Sequence, residues 1–103
     1  KINAQVRGTQ LYNGVTDLAK KHNIVGDVRG GHGLMLGIEL VSDQTKKTPL
    51  DNDHMKKIHQ KTYEFGAMVR LGLNNILMSP PLTISEGEVG QILDALDEGL
   101  AAV

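Results

Sequence analysis

The 103-residue sequence predicts an α+β fold: a two-layer (α/β) domain in which helices cover one face of a small, mainly antiparallel sheet of three or four strands. Apolar residues recur at helical spacing in three segments, runs rich in Val, Ile and Leu lie between them, and Gly, Asn and Pro mark the turns. The predicted order is helix, two strands, helix, hairpin, helix. A chain of this length is expected to form one domain, residues 1 to 103.

The first half of the chain is predicted to hold one helix, two strands and a loop. Residues 1 to 22 form the helix, whose last turn carries the basic residues Lys20 and Lys21. Residues 24 to 29 and 34 to 41 are rich in Val, Ile and Leu and are separated by glycines, which indicates two adjacent strands. The polar segment 42 to 49 is predicted to be an exposed loop.

A second helix and a hairpin are predicted to follow. Asp51 or Asp53 is expected to cap this helix, Gly66 to end it, and its apolar face to consist of Met55, Ile58, Thr62 and Phe65. The apolar runs 67 to 71 and 76 to 78 predict two hairpin strands. Between them, Gly72 and Asn74-Asn75 tolerate the positive φ of a tight turn. Pro80 and Pro81 cannot donate ladder hydrogen bonds, so the second strand should end at about Ser79.

The last helix has the clearest local signals. Ser85 and Glu88 have the spacing of a capping box, and Ile84 is placed to pack on Val89 as a hydrophobic staple. The stripe Val89, Ile92, Leu93, Leu96 and Leu100 predicts one buried face. We interpret the acidic residues Glu86, Glu88, Asp94, Asp97 and Glu98 as a solvated face, with no pairing to other elements.

Composition argues against several functions. Eleven Lys and Arg against twelve Asp and Glu give a formal net charge of −1, and one Phe, two Tyr and no Trp leave no stacking platform, so a nucleic-acid partner is not indicated. No apolar run of about 18 residues supports a membrane role. The absence of cysteine excludes disulfide and thiolate chemistry in this chain and is compatible with a cytoplasmic protein.

Arg70 is the candidate binding residue. It stands in apolar surroundings at the predicted end of the first hairpin strand, where burying a guanidinium costs free energy unless an anion meets it. A carboxylate or phosphate would suit its planar, two-pronged donor geometry. The alternatives are an arginine that extends into solvent and one that bridges to a carboxylate of the same domain.

Other candidate chemistry is weaker. Gly30-Gly31-His32-Gly33 matches no phosphate-binding loop and is interpreted as a tight connection between strands. His54 and His59 are five residues apart and do not share a helical face, so no zinc site is predicted. Ser79 and Thr83 lack a nearby His and acid, and no lysine sits in an apolar context that would lower its pKa. Arg29 is predicted to brace the start of the sheet.

Residues 24 to 41 and the run from Arg70 to Ile84 carry two motifs that resemble those of class III aminotransferases, pyridoxal-phosphate (PLP) enzymes of the ω-amino acid:pyruvate type. Residues 24 to 30 and 33 to 41, Ile-Val-Gly-Asp-Val-Arg-Gly and Gly-Leu-Met-Leu-Gly-Ile-Glu-Leu-Val, are similar to a strand pair of that family. The run from Arg70 through the Ser-Pro-Pro-Leu-Thr-Ile block at 79 to 84 is similar to its C-terminal segment. The family has a single residue between the two glycines before its Leu-Met, whereas this chain has Gly31-His32.

The resemblance implies a C-terminal small domain, a fragment of a larger enzyme of fold type I. The complete enzyme would be a homodimer with its active site at the subunit interface, and it would transfer an amino group from an amine or ω-amino acid to a keto acid such as pyruvate. The large domain of the same chain would hold PLP and the catalytic lysine, so this fragment would contain no catalytic or cofactor-binding residue and be inactive alone. Arg70 matches the position that binds the substrate carboxylate.

Two alternatives remain open at this point. In the first, the chain is a stand-alone α+β ligand-binding module in which Arg70 holds an effector anion. In the second, it is an interaction domain in which Arg70 forms a structural salt bridge. An upstream PLP-binding domain would exclude the first.

Overall fold

The computed structural model describes residues 2–32, 35–81 and 83–103. Their elements are listed here in chain order: α1 (Ile2–Lys21), β1 (Val25–His32), β2 (Met35–Asp43), β3 (Thr48–Pro49), α2 (Asn52–Glu64), β4 (Arg70–Gly72), β5 (Asn75–Met78) and α3 (Glu86–Ala101). The strands form an antiparallel sheet in the order β1-β2-β5-β4, and the short β3 pairs with the end of β2. The predicted α+β class is therefore confirmed.

The core lies between one face of the sheet and the three helices. Along β2, Leu36, Ile38 and Leu40 alternate inward, as a half-buried strand requires. The helices meet them with buried apolar side chains: Leu11 and Val15 of α1, Met55 and Ile58 of α2, and Val89, Leu96 and Leu100 of α3. The stripe predicted for the last helix thus packs within this domain. Phe65, predicted to join the α2 stripe, is instead 49% exposed because the helix has already ended at Glu64.

The N-caps predicted for α2 and α3 are both present. The Asp51 carboxylate accepts a hydrogen bond from the His54 N–H at 3.3 Å and is the N-cap of α2. At α3, the Ser85 hydroxyl accepts from the Glu88 N–H at 3.1 Å, while the Glu88 carboxylate accepts from the Ser85 N–H at 2.9 Å. The predicted capping box is confirmed, and both members of the staple, Ile84 and Val89, are buried.

The sheet has one strand more than the three or four predicted. Segment 42 to 49, expected to be a loop, contains β3, which pairs with β2 through Val41↔Pro49 and Asp43↔Thr48. The Asp43 side chain accepts hydrogen bonds from the N–H groups of Thr45 and Lys46 at 2.9 and 3.0 Å and so closes the turn. A proline fits here because β3 is a strand at the edge of the sheet.

The β4–β5 hairpin is present but begins later than predicted. Residues 67 to 69, assigned to the first strand from their apolar character, lie outside it, so Arg70 begins β4 rather than ending it. Gly66, at φ +102°, turns the chain out of α2, and the Ala67 N–H donates to the Thr62 carbonyl at 3.1 Å. The apolar run instead serves the core, because Ala67 and Val69 are buried.

The β4–β5 turn differs from the prediction in which residue adopts the positive φ. In the β4–β5 turn the positive φ falls on Leu73, at +56°, and Asn74 anchors the turn by donating its side-chain amide to the Leu40 carbonyl at 2.8 Å. The strand stops at Met78, before the two prolines, as predicted. Between β1 and β2, Gly33 and Leu34 lie outside the described residues, and so does the predicted tight connection.

One correction concerns the acidic face of α3. Glu86, Glu88, Asp94 and Glu98 are exposed as predicted, but Asp97 pairs with another element. Its carboxylate lies 2.8 Å from Lys21 Nζ and 2.7 Å from His22 Nε2, both at the end of α1. The contact spans 75 and 76 positions of the chain and depends on how the two helices pack, which charge spacing within α3 does not reveal.

Candidate functional site

The face of the sheet opposite the helices carries a row of four residues in register. Arg29 of β1 lies opposite Gly37 of β2, Gly37 opposite Leu77 of β5, and Leu77 opposite Arg70 of β4. Because neighbouring strands are about 4.8 Å apart, three steps separate the two arginine backbones by roughly 14 Å. Glycine and an exposed leucine between them leave an open, apolar floor bounded by two cations.

Two clefts meet at Arg70. A cleft of about 530 Å³ lies between the hairpin and the start of α3, lined by Arg70, the Ser79, Pro80 and Pro81 segment, and Gln91 of α3 among others. A second cleft, of about 430 Å³, lies over Gly37 and extends from Arg29 to Arg70. Arg70, Leu77, Met78 and Ser79 line both.

The two arginines differ in their charge partners. Arg29 Nε is 3.2 Å from an Asp27 carboxylate oxygen, and Arg29 Nη2 is 3.8 Å from Glu39, so its charge is balanced within the sheet. This arrangement agrees with the structural role predicted for Arg29. Within residues 2–32, 35–81 and 83–103, no carboxylate lies within 4.0 Å of the Arg70 guanidinium, and its side chain is exposed. The described residues thus do not supply the internal salt bridge considered for Arg70.

Local structure fixes the position of Arg70 as the first residue of β4. Among the described strands, β4 pairs only with β5, so Arg70 lies at the edge of the sheet. Pro80 and Pro81 end the neighbouring strand after Met78. Just before Arg70, His59 of α2 places its Nε2 3.1 Å from the Val69 carbonyl oxygen. The sequence suggests a role for His59 only as a possible metal ligand. The contact depends on the packing of α2 against the hairpin, for which the sequence carries no local signal.

The two carboxyl groups with a shifted pKa, Asp51 and Asp97, do not line these clefts. Hydrogen bonds from Lys21 and then His22 lower the pKa of Asp97 below its ordinary 3.8. A hydrogen bond from the His54 ring lowers the pKa of Asp51 in the same direction. Both groups join or cap helices. The clefts themselves offer the Arg70 cation beside apolar side chains and the polar residues Ser79, Thr83, Glu88 and Gln91.

Comparison with known proteins shows the family: the chain belongs to the class-III aminotransferases, whose family model matches residues 1–100. It is 36% identical over 102 residues to the mitochondrial alanine–glyoxylate aminotransferase 2 homolog 2 of Arabidopsis thaliana, covering 96% of this chain and 21% of that protein. It is 32% identical over 108 residues to the hypotaurine/taurine–pyruvate aminotransferase of Paracoccus denitrificans, covering 98% of this chain and 23% of that one.

A solved structure agrees with the sequence relatives. An amine transaminase from an uncultivated Pseudomonas species, in its PLP-bound form, superposes with a TM-score of 0.89 at 37% identity, over 96% of this chain and 22% of that one. The chain therefore spans about a fifth of the length of the proteins it matches. Membership of this family implies PLP as the cofactor.

The described lining of the two clefts can be compared with the side chains that usually hold PLP. PLP enzymes bind the cofactor through a lysine amine, with further groups that orient the ring. Among the described residues that line the clefts there is no lysine, aspartate or aromatic side chain. The part of the chain that the structure describes also holds no cluster of three or more potential metal ligands. Its helices include none with the length and apolar character needed to cross a membrane.

Proposed function

We propose that this chain is the C-terminal small domain of a PLP-dependent aminotransferase that moves an amino group from an amine or ω-amino acid to a keto acid such as pyruvate. Family membership and the high structural similarity to an amine transaminase support the reaction class. A relative that is named for pyruvate supports the acceptor.

The observation that carries the proposal is Arg70 without a carboxylate partner among the described residues, at the meeting point of two clefts. A guanidinium in apolar surroundings favours an anion, and a substrate carboxylate matches its planar fork with two parallel hydrogen bonds. We expect that contact to contribute roughly 1.5 to 3 kcal/mol to substrate binding. Apolar Leu77, which lies opposite Arg70 in register and is 42% exposed, would accept the body of the substrate.

In this proposal the cofactor is held by the rest of the polypeptide, in a large domain that also supplies the catalytic lysine. PLP contributes the electron sink for amino transfer. The residues of this chain would bind the substrate carboxylate and form part of the wall that faces the substrate. We further propose that the enzyme is a homodimer with its active site at the subunit interface, and that it resides in the cytoplasm.

The direct test is amino transfer by the full-length protein that contains this chain. The purified, PLP-loaded protein is incubated with pyruvate and a panel of amines and ω-amino acids, and alanine is quantified by mass spectrometry with a ¹⁵N-labelled donor. We expect ¹⁵N-alanine with at least one donor. A PLP-loaded protein that converts amino acids without any transfer of ¹⁵N to pyruvate or another keto acid would contradict the proposal.

The proposed assembly and location have their own measurements. Light scattering of the full-length protein should give the mass of a dimer, and a monomer that retains full activity would contradict an interfacial active site. Fractionation of cells that produce the protein should recover it with cytoplasmic markers.

A further inference from the structure

We infer that His59 is a positioning residue for Arg70, an inference that rests on the proposed role of Arg70 in binding the substrate carboxylate. His59 Nε2 lies 3.1 Å from the carbonyl oxygen of Val69, the residue directly before Arg70. Because a carbonyl oxygen can only accept, the ring must present an N–H to it. A helix side chain is thereby linked to the peptide from which the binding arginine projects.

The position of the contact gives it this role. β4 is a three-residue edge strand that pairs with β5 on one side only, so its first residue has little sheet around it. The preceding segment leaves α2 through Gly66 at φ +102° and is held by the Ala67 N–H on the Thr62 carbonyl. The His59 ring adds a further tie, at the last peptide before the functional side chain.

A small backbone rotation at this point has a large effect on the guanidinium. The arginine side chain is long, so a change in direction at Cα is magnified at its far end, and a bidentate contact tolerates little misalignment. A misplacement of about 1 Å in a binding group can reduce rate up to roughly 100-fold. His59 is half-buried next to the backbone that precedes Arg70, whereas the Arg70 side chain is exposed and accessible to a ligand.

The inference predicts a selective defect. In the full-length enzyme, His59→Leu should raise KM for a carboxylate-bearing donor roughly three- to tenfold, because a misaligned Arg70 would lose about one hydrogen bond to the carboxylate. Both donors are measured in the first half-reaction alone, without pyruvate, because pyruvate itself carries a carboxylate. In that half-reaction, KM and the maximal rate for an amine donor without a carboxylate should stay within twofold. His59→Gln should restore the carboxylate selectivity, because its terminal amide can donate to the same carbonyl. Gln60→Leu, at an exposed neighbouring position on α2, is the matched control.

Comparison with Arg70→Ala separates the two proposals. If Arg70→Ala loses carboxylate selectivity but His59→Leu leaves the KM ratio of the two donors unchanged, the positioning role is wrong and the proposed function stands. If Arg70→Ala slows the isolated donor half-reaction equally for both donors, the carboxylate role of Arg70 is wrong and the inference is overturned with it. In the Arg70→Ala background, His59→Leu should have no further effect on the ratio.

A folding defect does not remove the test. If His59→Leu yields no soluble enzyme, His59→Asn replaces it: the shorter amide keeps a polar side chain but cannot reach the Val69 carbonyl. We expect His59→Asn to show the selective rise in KM and His59→Gln to lack it. Equal KM ratios for the Asn and Gln variants would overturn the inference.

Discussion

At the scale of single residues, Gly99 and Thr62 set how closely α3 approaches α2. A Cβ atom at Gly99 would lie 2.0 Å from Thr62 Oγ1 and 3.0 Å from the Ile58 carbonyl oxygen. The Thr62 hydroxyl is buried and forms no hydrogen bond with the described residues. The absence of a side chain at position 99 therefore permits this helix contact.

Gly99→Ala should therefore destabilise the protein, by about 1 to 3 kcal/mol, because the new methyl group has to displace Thr62 or the α2 backbone. The measurement is the free energy of unfolding from urea titrations. Gly90→Ala, on the same helix, is the control: apart from neighbouring backbone, no atom of the described residues lies within 4 Å of the added Cβ, and the change should stabilise by about 1 kcal/mol through helix propensity. Equal effects at the two positions would contradict the packing argument.

At the scale of elements, the start of α3 depends on its capping box. Ser85→Ala leaves the Glu88 N–H without its side-chain acceptor and should cost about 1 kcal/mol in the free energy of unfolding. Ser85→Asp keeps an acceptor at the cap and should stay within a few tenths of a kcal/mol of the original protein. If chemical denaturation gives both variants the same loss, the cap does not stabilise the helix.

The link between α1 and α3 should make stability depend on pH. The pKa of Asp97 is lowered in the folded chain, chiefly by the hydrogen bond from Lys21 and then by that from His22. A carboxyl whose pKa is lower in the folded than in the unfolded chain stabilises the folded state at any pH above the ordinary value of 3.8. This stabilisation is lost as the pH falls through the lowered pKa of the folded state.

Asp97→Asn should accordingly reduce the free energy of unfolding at pH 7 by up to about 1 kcal/mol, since the pair is partly exposed and screened by solvent. The difference from the original protein should narrow as the pH falls below 3.8. Asp94→Asn, at an exposed acidic position of the same helix, should have little effect at any pH. A difference for Asp97→Asn that grows on acidification would have the wrong sign.

Sequence reasoning succeeded where structure is encoded within a few neighbouring residues. The Ser85–Glu88 box, the Asp51 cap and the strand end before Pro80 are local, and all three are present. It failed where partners are distant. The pairing of Asp97 with α1 and the pairing of β3 with β2 require the tertiary fold. The prediction that the first hairpin strand starts at residue 67 was also wrong. Residues 67 to 69 have the apolar composition of a strand, but Ala67 and Val69 fill the core without pairing to another strand.

At the scale of the whole molecule, apolar and cationic groups gather on the face opposite the helices. Met35 and Leu77 are 70% and 42% exposed on that face, and Met68, 78% exposed, lines the first cleft between the hairpin and α3. Exposed apolar surface of this kind is typical of a binding or interface region. The chain spans about a fifth of the length of its relatives, and in the proposed enzyme the large domain and the substrate would cover this face.

The site could be predicted only in part from sequence. The sequence indicates Arg70 because a cation in apolar surroundings favours an anion and because its motif resembles the family. The row that joins it to Arg29 through Gly37 and Leu77 follows from strand register, which two separated motifs do not specify. The charge pairing that distinguishes the two arginines is a tertiary property in the same way.

The measurement that tests the central claim most directly is the rate of each half-reaction in the full-length Arg70→Ala enzyme, followed by stopped-flow absorbance of the cofactor. If Arg70 binds the substrate carboxylate, pyruvate and carboxylate-bearing donors should lose roughly tenfold to a few hundredfold in their specificity constants, at about 1.4 kcal/mol per tenfold. An amine donor without a carboxylate should keep most of its rate. Equal losses for substrates with and without a carboxylate would show that Arg70 supports the fold or an interface and does not recognise the substrate.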